Sequence, residues 1–482
     1  MSPFATELAA ARAAQLIWSR VPIRERLRPV RVLRNLLVER TDDLIAAAHA
    51  DIGRTAVEVI GTELLPSAAA LKFIEQEAAH ILAPRTVPRR LRPTWLMGSR
   101  DVVHHRPWGV IGVIGTWNYP IYLNVGPIAQ TLVAGNAVLW KPSENAPRTA
   151  DLTYELFVNA GFPTELLQKL PATRVSGPQL AETDVDYIVF TGSDGVGRKL
   201  AARLGERLIP STLELSGCDA MFVLADANLE MAARAAWFGV TLNRGQTCIA
   251  VRRIFVQQAR CEEFVALMQA FQAKAEPMSL VTPGQVTHAE RLIADAVTRG
   301  AVPLTISPHE AESGFSPTVL TNVPADAAIC REASFAPVTA VIPFDTIDSA
   351  VSLAAQSPFG LSSSIFTADT TAAKELATRI PAGSVVINDV LAPTAHPATP
   401  FGGVGASGWG VTQGAEGLLA MTTPQVVTVR KGTFRPHFDE ALNPDPATAE
   451  LLRGLLRVTH ARGLRDKFRG LMQLVRGVRK KK

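Results

Sequence analysis

What the chain lacks narrows it first. Its four cysteines (Cys218, Cys248, Cys261, Cys330) lie far apart in 482 residues, with no CxxC pair. That argues against a disulfide framework and against a metal site, and fits a reducing, cytoplasmic compartment. No stretch approaches the ~18 apolar residues that span a bilayer. The first residues do not read as a secretory leader, because Glu7 and Arg12 interrupt the apolar positions. No internal repeat marks the N-terminal half. Excess basic charge is absent from most of the chain. Net charge is +5, but residues 452–482 hold eleven Lys or Arg against one acid, Asp466, which leaves 38 basic and 43 acidic residues elsewhere. The high pI therefore belongs to a short tail, and the mildly acidic body shows no sign of a nucleic-acid partner.

What is present is a globular chain, 47% hydrophobic, long enough for two or more domains. Residues 5–82 read as helices, with Thr41 placed to cap one and Gly53 to stop it. Pro66 should bend or start another. A Pro/Arg-rich connector follows at 84–93. Then the pattern changes. Short apolar runs, Val110–Ile114, Ala137–Trp140 and Asp186–Phe190, alternate with helical segments and end in turns. Buried strands alternating with helices predict a parallel α/β sheet, whose ligands bind beyond the carboxyl ends of the strands. Those ends carry Thr116–Pro120, Lys141–Glu144 and Thr191–Ser193. A second α/β segment follows, with Arg253–Val256 as a strand, 286–300 as a helix, then Pro317–Leu320 and the return segment Ser384–Asn388, and Val426–Val429 as a late edge strand.

The chain turns on Asn243-Arg244-Gly245-Gln246-Thr247-Cys248-Ile249-Ala250. A lone cysteine is more often a small buried hydrophobe than a nucleophile. Company reverses that reading. Leu213-Glu214-Leu215 lies upstream and offers a carboxylate as a base, and Asn118 offers a side-chain amide for an oxyanion. Thr191-Gly192-Ser193-Asp194-Gly195-Val196-Gly197 is glycine-rich ahead of a helix, and so could admit a pyrophosphate, although its order is not GxGxxG. Lys141 and Glu144 could meet a ribose, or be two solvated charges.

Together these residues resemble the aldehyde dehydrogenase superfamily over about residues 5–430. The likeness rests on Pro107-Trp108-Gly109-Val110 through Trp117-Asn118-Tyr119-Pro120, on Gly135-Asn136 through Lys141-Pro142-Ser143-Glu144, and on Phe190-Thr191-Gly192-Ser193. It continues through Leu213-Glu214-Leu215, Gly245-Gln246-Thr247-Cys248, Pro358-Phe359-Gly360-Leu361 and Pro400-Phe401-Gly402-Gly403. Trp-Asn-Tyr-Pro and the late Gly-Val-Gly-Ala-Ser-Gly-Trp-Gly look most like the class 3 branch, which takes aromatic and fatty aldehydes. The resemblance implies a Rossmann-type cofactor domain at 1–98 and 108–222, a catalytic domain at 223–410, and an oligomerisation sheet from 99–107 and 411–432. A basic tail, 433–482, completes the chain. It also implies a homodimer or homotetramer.

The chemistry implied is NAD(P)-dependent oxidation of an aldehyde to a carboxylate. Cys248 would be the nucleophile, Glu214 the base for the hydrolytic water, and Asn118 an oxyanion donor. Cofactor contacts would come from Trp117, Lys141, Glu144, Gly192, Ser193, Gly197, Leu215, Glu332 and Phe335. Glu144 would favour NAD over NADP by repelling a 2′-phosphate, although class 3 relatives often accept both. Four departures stand out. Ala333 occupies the place of a family acid, with Glu332 one residue early. Ser216-Gly217-Cys218 replaces Gly-Gly-Lys. The stretch 275–315 is short, and 165–183 lacks the usual apolar strand. The rival reading is a non-catalytic scaffold or peripheral membrane-binding protein on this fold.

The tail is the least family-like part. Arg462-Gly463-Leu464, Arg469-Gly470-Leu471 and Arg476-Gly477-Val478 repeat at seven residues. A helix would align Leu464, Phe468, Leu471, Val475 and Val478 on one face, with Arg and Lys on the others. An anionic membrane surface is one candidate partner for 452–482; the protein's own body and a second subunit are others. Each glycine costs a helix about 1 kcal/mol, which favours disorder until a partner is met.

Overall fold

The short apolar runs become two parallel sheets. The computed structural model describes residues 3–96, 98–305, 314–433, 438, 441–442 and 445–480. Residues 306–313 of the shortened 275–315 stretch lie outside them. The chain divides into two units, 1–82 with 106–423, and 83–105 with 424–482.

In the larger unit the first sheet has six strands. Their order is Gly408–Trp409, Ser211–Glu214, Tyr187–Thr191, Val110–Ile114, Ala137–Lys141 and Leu167–Lys169. All pair in parallel except the Gly408–Trp409 edge. Val110–Ile114 is buried throughout, as a strand covered on both faces must be. The strand missing from the sequence reading of 165–183 is present, reduced to Leu167–Lys169. Only Leu167 is fully buried there. As an edge strand it tolerates Gln168 and Lys169, which hid it from an apolar-run reading.

The second sheet has seven strands. Their order is Val302–Pro303, Thr318–Thr321, Val338–Phe344, Val251–Gln257, Asp219–Val223, Ser362–Phe366 and Ser384–Ile387. The chain passes from the first sheet to the second within Leu215–Cys218, between strands Ser211–Glu214 and Asp219–Val223. Asp219 pairs with Val251. The residues just ahead of Val251, Cys248 among them, are thereby brought beside the crossover that carries Glu214.

The N-terminal helices run as expected, with two differences. Thr41 does not cap; it is already helical, and its hydroxyl donates back to the Val38 carbonyl at 2.9 Å. Gly53 does end that helix, with φ 69°. Pro66 sits in the first turn of Leu65–Ile81, immediately after a π-helical turn, Ile60–Leu64.

In the smaller unit, Arg85–Thr86 and Ser99–Pro107 join Thr422–Arg430 in a three-stranded sheet. The described tail is helical, not irregular. Pro446–His460 and Leu464–Lys480 pack as a hairpin.

Candidate active site

The turn that carries Cys248 is built on strained backbone. Asn243 and Arg244 both have positive φ, 50° and 58°, and Gly245 follows at 72°. A Cβ on Gly245 would run into the Ala336 carbonyl. Glycine is therefore required for close approach as well as for its dihedral. Buried hydrogen bonds hold the turn. Asn243 Nδ2 donates to the carbonyls of Asn118 at 2.9 Å and Gln246 at 3.2 Å. Gln246 Nε2 donates to the Asn243 carbonyl at 3.0 Å, and its Oε1 accepts from Val281 N and Gln285 Nε2.

Cys248 Sγ lies 3.9 Å from Glu214 Oε1, with the thiol donating. Burial raises the Glu214 carboxyl to about 7, partly offset by that thiol. Burial pushes the Cys248 thiol well above its ordinary value, and the Glu214 and Asp219 carboxylates push it further. The resting pair is thus a protonated thiol against a carboxyl poised near neutrality. A base near pH 7 beside a thiol can accept its proton and can later deprotonate a water.

Asn118 is 3% exposed. Its Oδ1 accepts from the Thr116 hydroxyl at 2.7 Å, and its Nδ2 donates to the Gln246 carbonyl at 3.0 Å. That leaves the amide one further N–H. The next residue, Tyr119, shares a 2.6 Å hydrogen bond with Thr247. Asn118, Glu214 and Cys248 are thus tied to one turn. Tyr119, Glu214, Thr247 and Cys248 border a cavity of about 750 Å³ whose other walls include Leu65, Phe238, Leu242, Ile249, Leu391 and Phe401.

The remaining residues lie at the carboxyl ends of the first sheet, except Phe335, which precedes strand Val338–Phe344 of the second. Trp117 and Phe335 meet edge to face, with centroids 6.1 Å apart. Ser193 caps helix Asp194–Glu206, its Oγ accepting from Val196 N at 3.4 Å. Gly192 lies against the Phe190 ring, and Gly197 packs on Leu215 so closely that a Cβ there would strike the leucine side chain. Lys141 Nζ donates to Glu144 Oε2 at 3.0 Å, and Arg174 Nε to its Oε1 at 3.2 Å. Burial raises the Glu144 carboxyl, but its own backbone N–H, Lys141 and Arg174 outweigh that and hold it low. Beyond Gly195 there is open space at a helix N-terminus. A helix start, a lysine and a carboxylate at adjacent strand ends suit a dinucleotide's pyrophosphate and ribose.

Glu332 is not brought to this group. It is paired with Arg291 on helix Pro283–Thr298, with His288 Nε2 at 4.0 Å. A displacement of one residue from Ala333 turns the side chain elsewhere, and the helix offers it a cation. Cys218 does not line that cavity. It is buried, its thiol is directed at the Ile329 carbonyl 3.5 Å away, and burial raises its pKa.

Several site residues escaped the sequence reading. Arg54 and Glu63, both 0% exposed, form an ion pair at 3.3 Å. Arg54 Nη1 donates to the Asn118 carbonyl at 3.0 Å, and Glu63 Oε2 accepts from Ile121 N at 2.6 Å. The pair clamps the Asn118–Ile121 turn from below. It depends on the π-helical turn at Ile60–Leu64, which no periodicity announces. Arg252 is also buried. It donates to the carbonyls of Gly245 and Thr247 and to Ser334 Oγ, and so binds the cysteine turn to the Phe335 loop. Here a signal existed: two arginines inside the apolar strand Val251–Gln257 must each find buried acceptors.

The comparisons agree with this geometry. The aldehyde dehydrogenase family matches residues 4–427. The chain is 34% identical over 429 residues to a 4,4'-diapolycopene aldehyde oxidase from a Methylomonas species, covering 87% of this chain and 80% of that protein. It superposes on a Mycobacterium tuberculosis aldehyde dehydrogenase complexed with NAD+ with a TM-score of 0.82 and 31% identity, over 89% and 90% of the two chains. An NADP-dependent glyceraldehyde-3-phosphate dehydrogenase from Bacillus halodurans, complexed with NADP, gives a TM-score of 0.83 at 29% identity, over 88% and 90%. The match across nearly the whole body, joined to a cysteine, a carboxyl and an amide gathered on one turn, shows that the chain belongs to the aldehyde dehydrogenase family.

Proposed function

We propose that the protein is an NAD(P)-dependent aldehyde dehydrogenase that oxidises lipophilic aldehydes, aromatic or medium- to long-chain, to carboxylates. The observation that carries this is the Cys248–Glu214 pair at 3.9 Å, opening on a largely apolar cavity. Glu214 takes the Cys248 proton, and the thiolate adds to the aldehyde carbon. The Asn118 amide and the Cys248 backbone N–H are the donors for the alkoxide that develops. NAD(P)+, when bound, accepts the hydride that leaves this carbon. A thioester remains on Cys248. Glu214, having released its proton to solvent, then takes one from a water. That water attacks the thioester carbon, and its second proton passes to the leaving sulfur, freeing the carboxylate and restoring the thiol.

Lys141, Glu144, Ser193 and the start of helix Asp194–Glu206 are the residues suited to the adenosine half. Glu144 disfavours a 2′-phosphate by charge, while Arg174 and Lys141 supply compensating cations. Use of both cofactors, with NAD preferred, follows from that balance. A non-catalytic scaffold is the weaker reading, since it has no need of a buried carboxyl raised to about 7 beside a thiol.

The test is reduction of NAD+ and NADP+ with aromatic, short and long-chain aldehydes. Turnover should rise with the apolar area of the aldehyde and should require Cys248. A preference for short, charged aldehydes would refute the lipophilic assignment.

A further inference from the structure

The C-terminal hairpin packs inside out. A helical pair stabilised by its own hydrophobes would place leucine and phenylalanine at the seam. Here the seam is glycine. A Cβ on Gly454 would lie 2.7 Å from Leu474 N, one on Gly470 2.7 Å from the Arg457 Cβ, and one on Gly477 2.6 Å from the Leu451 side chain. Gly470 and Gly477, seven residues apart, stay on one stripe of their helix. Two of the three glycines of the sequence repeat, Gly470 and Gly477, thus permit close backbone approach between the two helices, whereas Gly463 precedes the second helix and meets only Asp466.

Leu451 and Leu474 pack against those glycines, and a second set of large residues is left outside. Leu464 is 86% exposed and Phe468 63%, with Leu471, Met472, Val475 and Val478 continuing the same face. Leu452 and Leu456, one turn apart on Pro446–His460, are exposed as well. Arg465, Arg469, Arg476 and Arg479 border the apolar face of Leu464–Lys480, and Asp466 is the one acid of that helix.

We infer that this hairpin is a peripheral docking device for an anionic lipid bilayer. Charge complementarity chooses this occupant. Two copies meeting through this face would set one strongly basic segment against another, since residues 452–482 carry eleven basic side chains and one acid in each copy. A nucleic acid would satisfy the arginines and leave Phe468 and the leucines in water. An anionic bilayer takes both, apolar side chains below the headgroups and cations among them. No described helix is long and apolar enough to cross a membrane, so the hairpin would lie on the surface. This inference goes beyond the proposed activity and does not depend on it.

The experiment is co-sedimentation of the full chain with phosphatidylcholine vesicles and with phosphatidylcholine–phosphatidylglycerol vesicles. The wild-type protein should bind the anionic vesicles at least about tenfold more tightly. Raising salt from about 0.1 to about 1 M, where screening shortens from about 10 to about 3 Å, should remove most of that binding. Phe468→Asp with Leu471→Asp touches no seam glycine and should lose binding about tenfold or more, with helicity and turnover of a water-soluble aldehyde unchanged. Equal binding by this variant and wild type would overturn the inference. So would binding to neither vesicle, or binding to anionic vesicles indifferent to salt, a result that needs no variant. Absence of vesicle binding together with loss of a wild-type dimer in the variant would assign the face to a second copy instead.

Discussion

The catalytic turn and the C-terminal hairpin depart from the usual partition of residues in opposite directions. At the turn, charged groups go inside. Arg54, Glu63, Glu214 and Arg252 are all buried. Arg54, Glu63 and Arg252 are held by partners that keep the backbone of Asn118–Ile121 and Gly245–Cys248 in place. In the hairpin, hydrophobes go outside, and glycines occupy the seam where they would otherwise pack. Paired buried charge rigidifies, and burial without a cation raises the Glu214 carboxyl. Exposed apolar surface on a rigid support stays available to something not yet bound. One region is finished by its own side chains; the other is completed from outside.

The comparison can be broken at its strongest point first. Cys248→Ala should abolish turnover with no loss of folded protein, measured as NADH formation alongside the thermal midpoint. Residual turnover would require another thiol, and Cys218 is sealed in the core. Asn118→Ala should lower kcat by about 10²- to 10³-fold if its free N–H serves the oxyanion. A fall in affinity alone, with kcat kept, would argue against that role.

Glu214→Gln should abolish steady-state turnover and, because Glu214 also takes the Cys248 proton, should slow formation of the first NADH as well, read as the loss of any rapid burst in stopped flow. In wild type the limb assigned to this carboxyl should rise through about pH 7, the value to which burial raises it. The same shift has a stability sign. A carboxyl raised from 4.5 to about 7 in the folded state keeps its proton where the unfolded chain has lost it. Its contribution is therefore whole below about 4.5 and is lost as pH rises through 7. Glu214→Gln should flatten that part of the stability–pH curve.

Arg54→Met tests the finished region structurally. Leaving Glu63 buried without its cation should cost about 3–5 kcal/mol of stability, read by denaturant midpoint. The smallest effects belong to the adenosine side. Glu144→Gln should shift preference toward NADP, and Arg174→Ala away from it, each by severalfold in the ratio of kcat/KM values. Arg174 is highly exposed, so solvent screening keeps its effect modest.

Legible in the sequence alone were the alternating sheet, the order of the turns at the strand ends, and Asn118, Glu214 and Cys248 as candidates that the fold brings to one turn. Those features are local: apolar runs, glycine turns, and a cysteine, carboxylate and amide each inside a short motif. The tail's face of Leu464, Phe468, Leu471, Val475 and Val478 was equally legible, because helical spacing alone aligns it. Only the tertiary structure decided the rest. Leu167–Lys169 became a strand because an edge position needs one covered face. Glu332 was drawn away by Arg291, a partner 41 residues distant in sequence. Arg54 and Glu63 acquired their meaning from a π-helical turn and from a loop more than fifty residues downstream. Gly470 and Gly477 of the heptad repeat, which read as helix breakers when taken alone, lie at the seam of a hairpin. In each case the deciding energy came from a group distant in sequence, which no local pattern encodes.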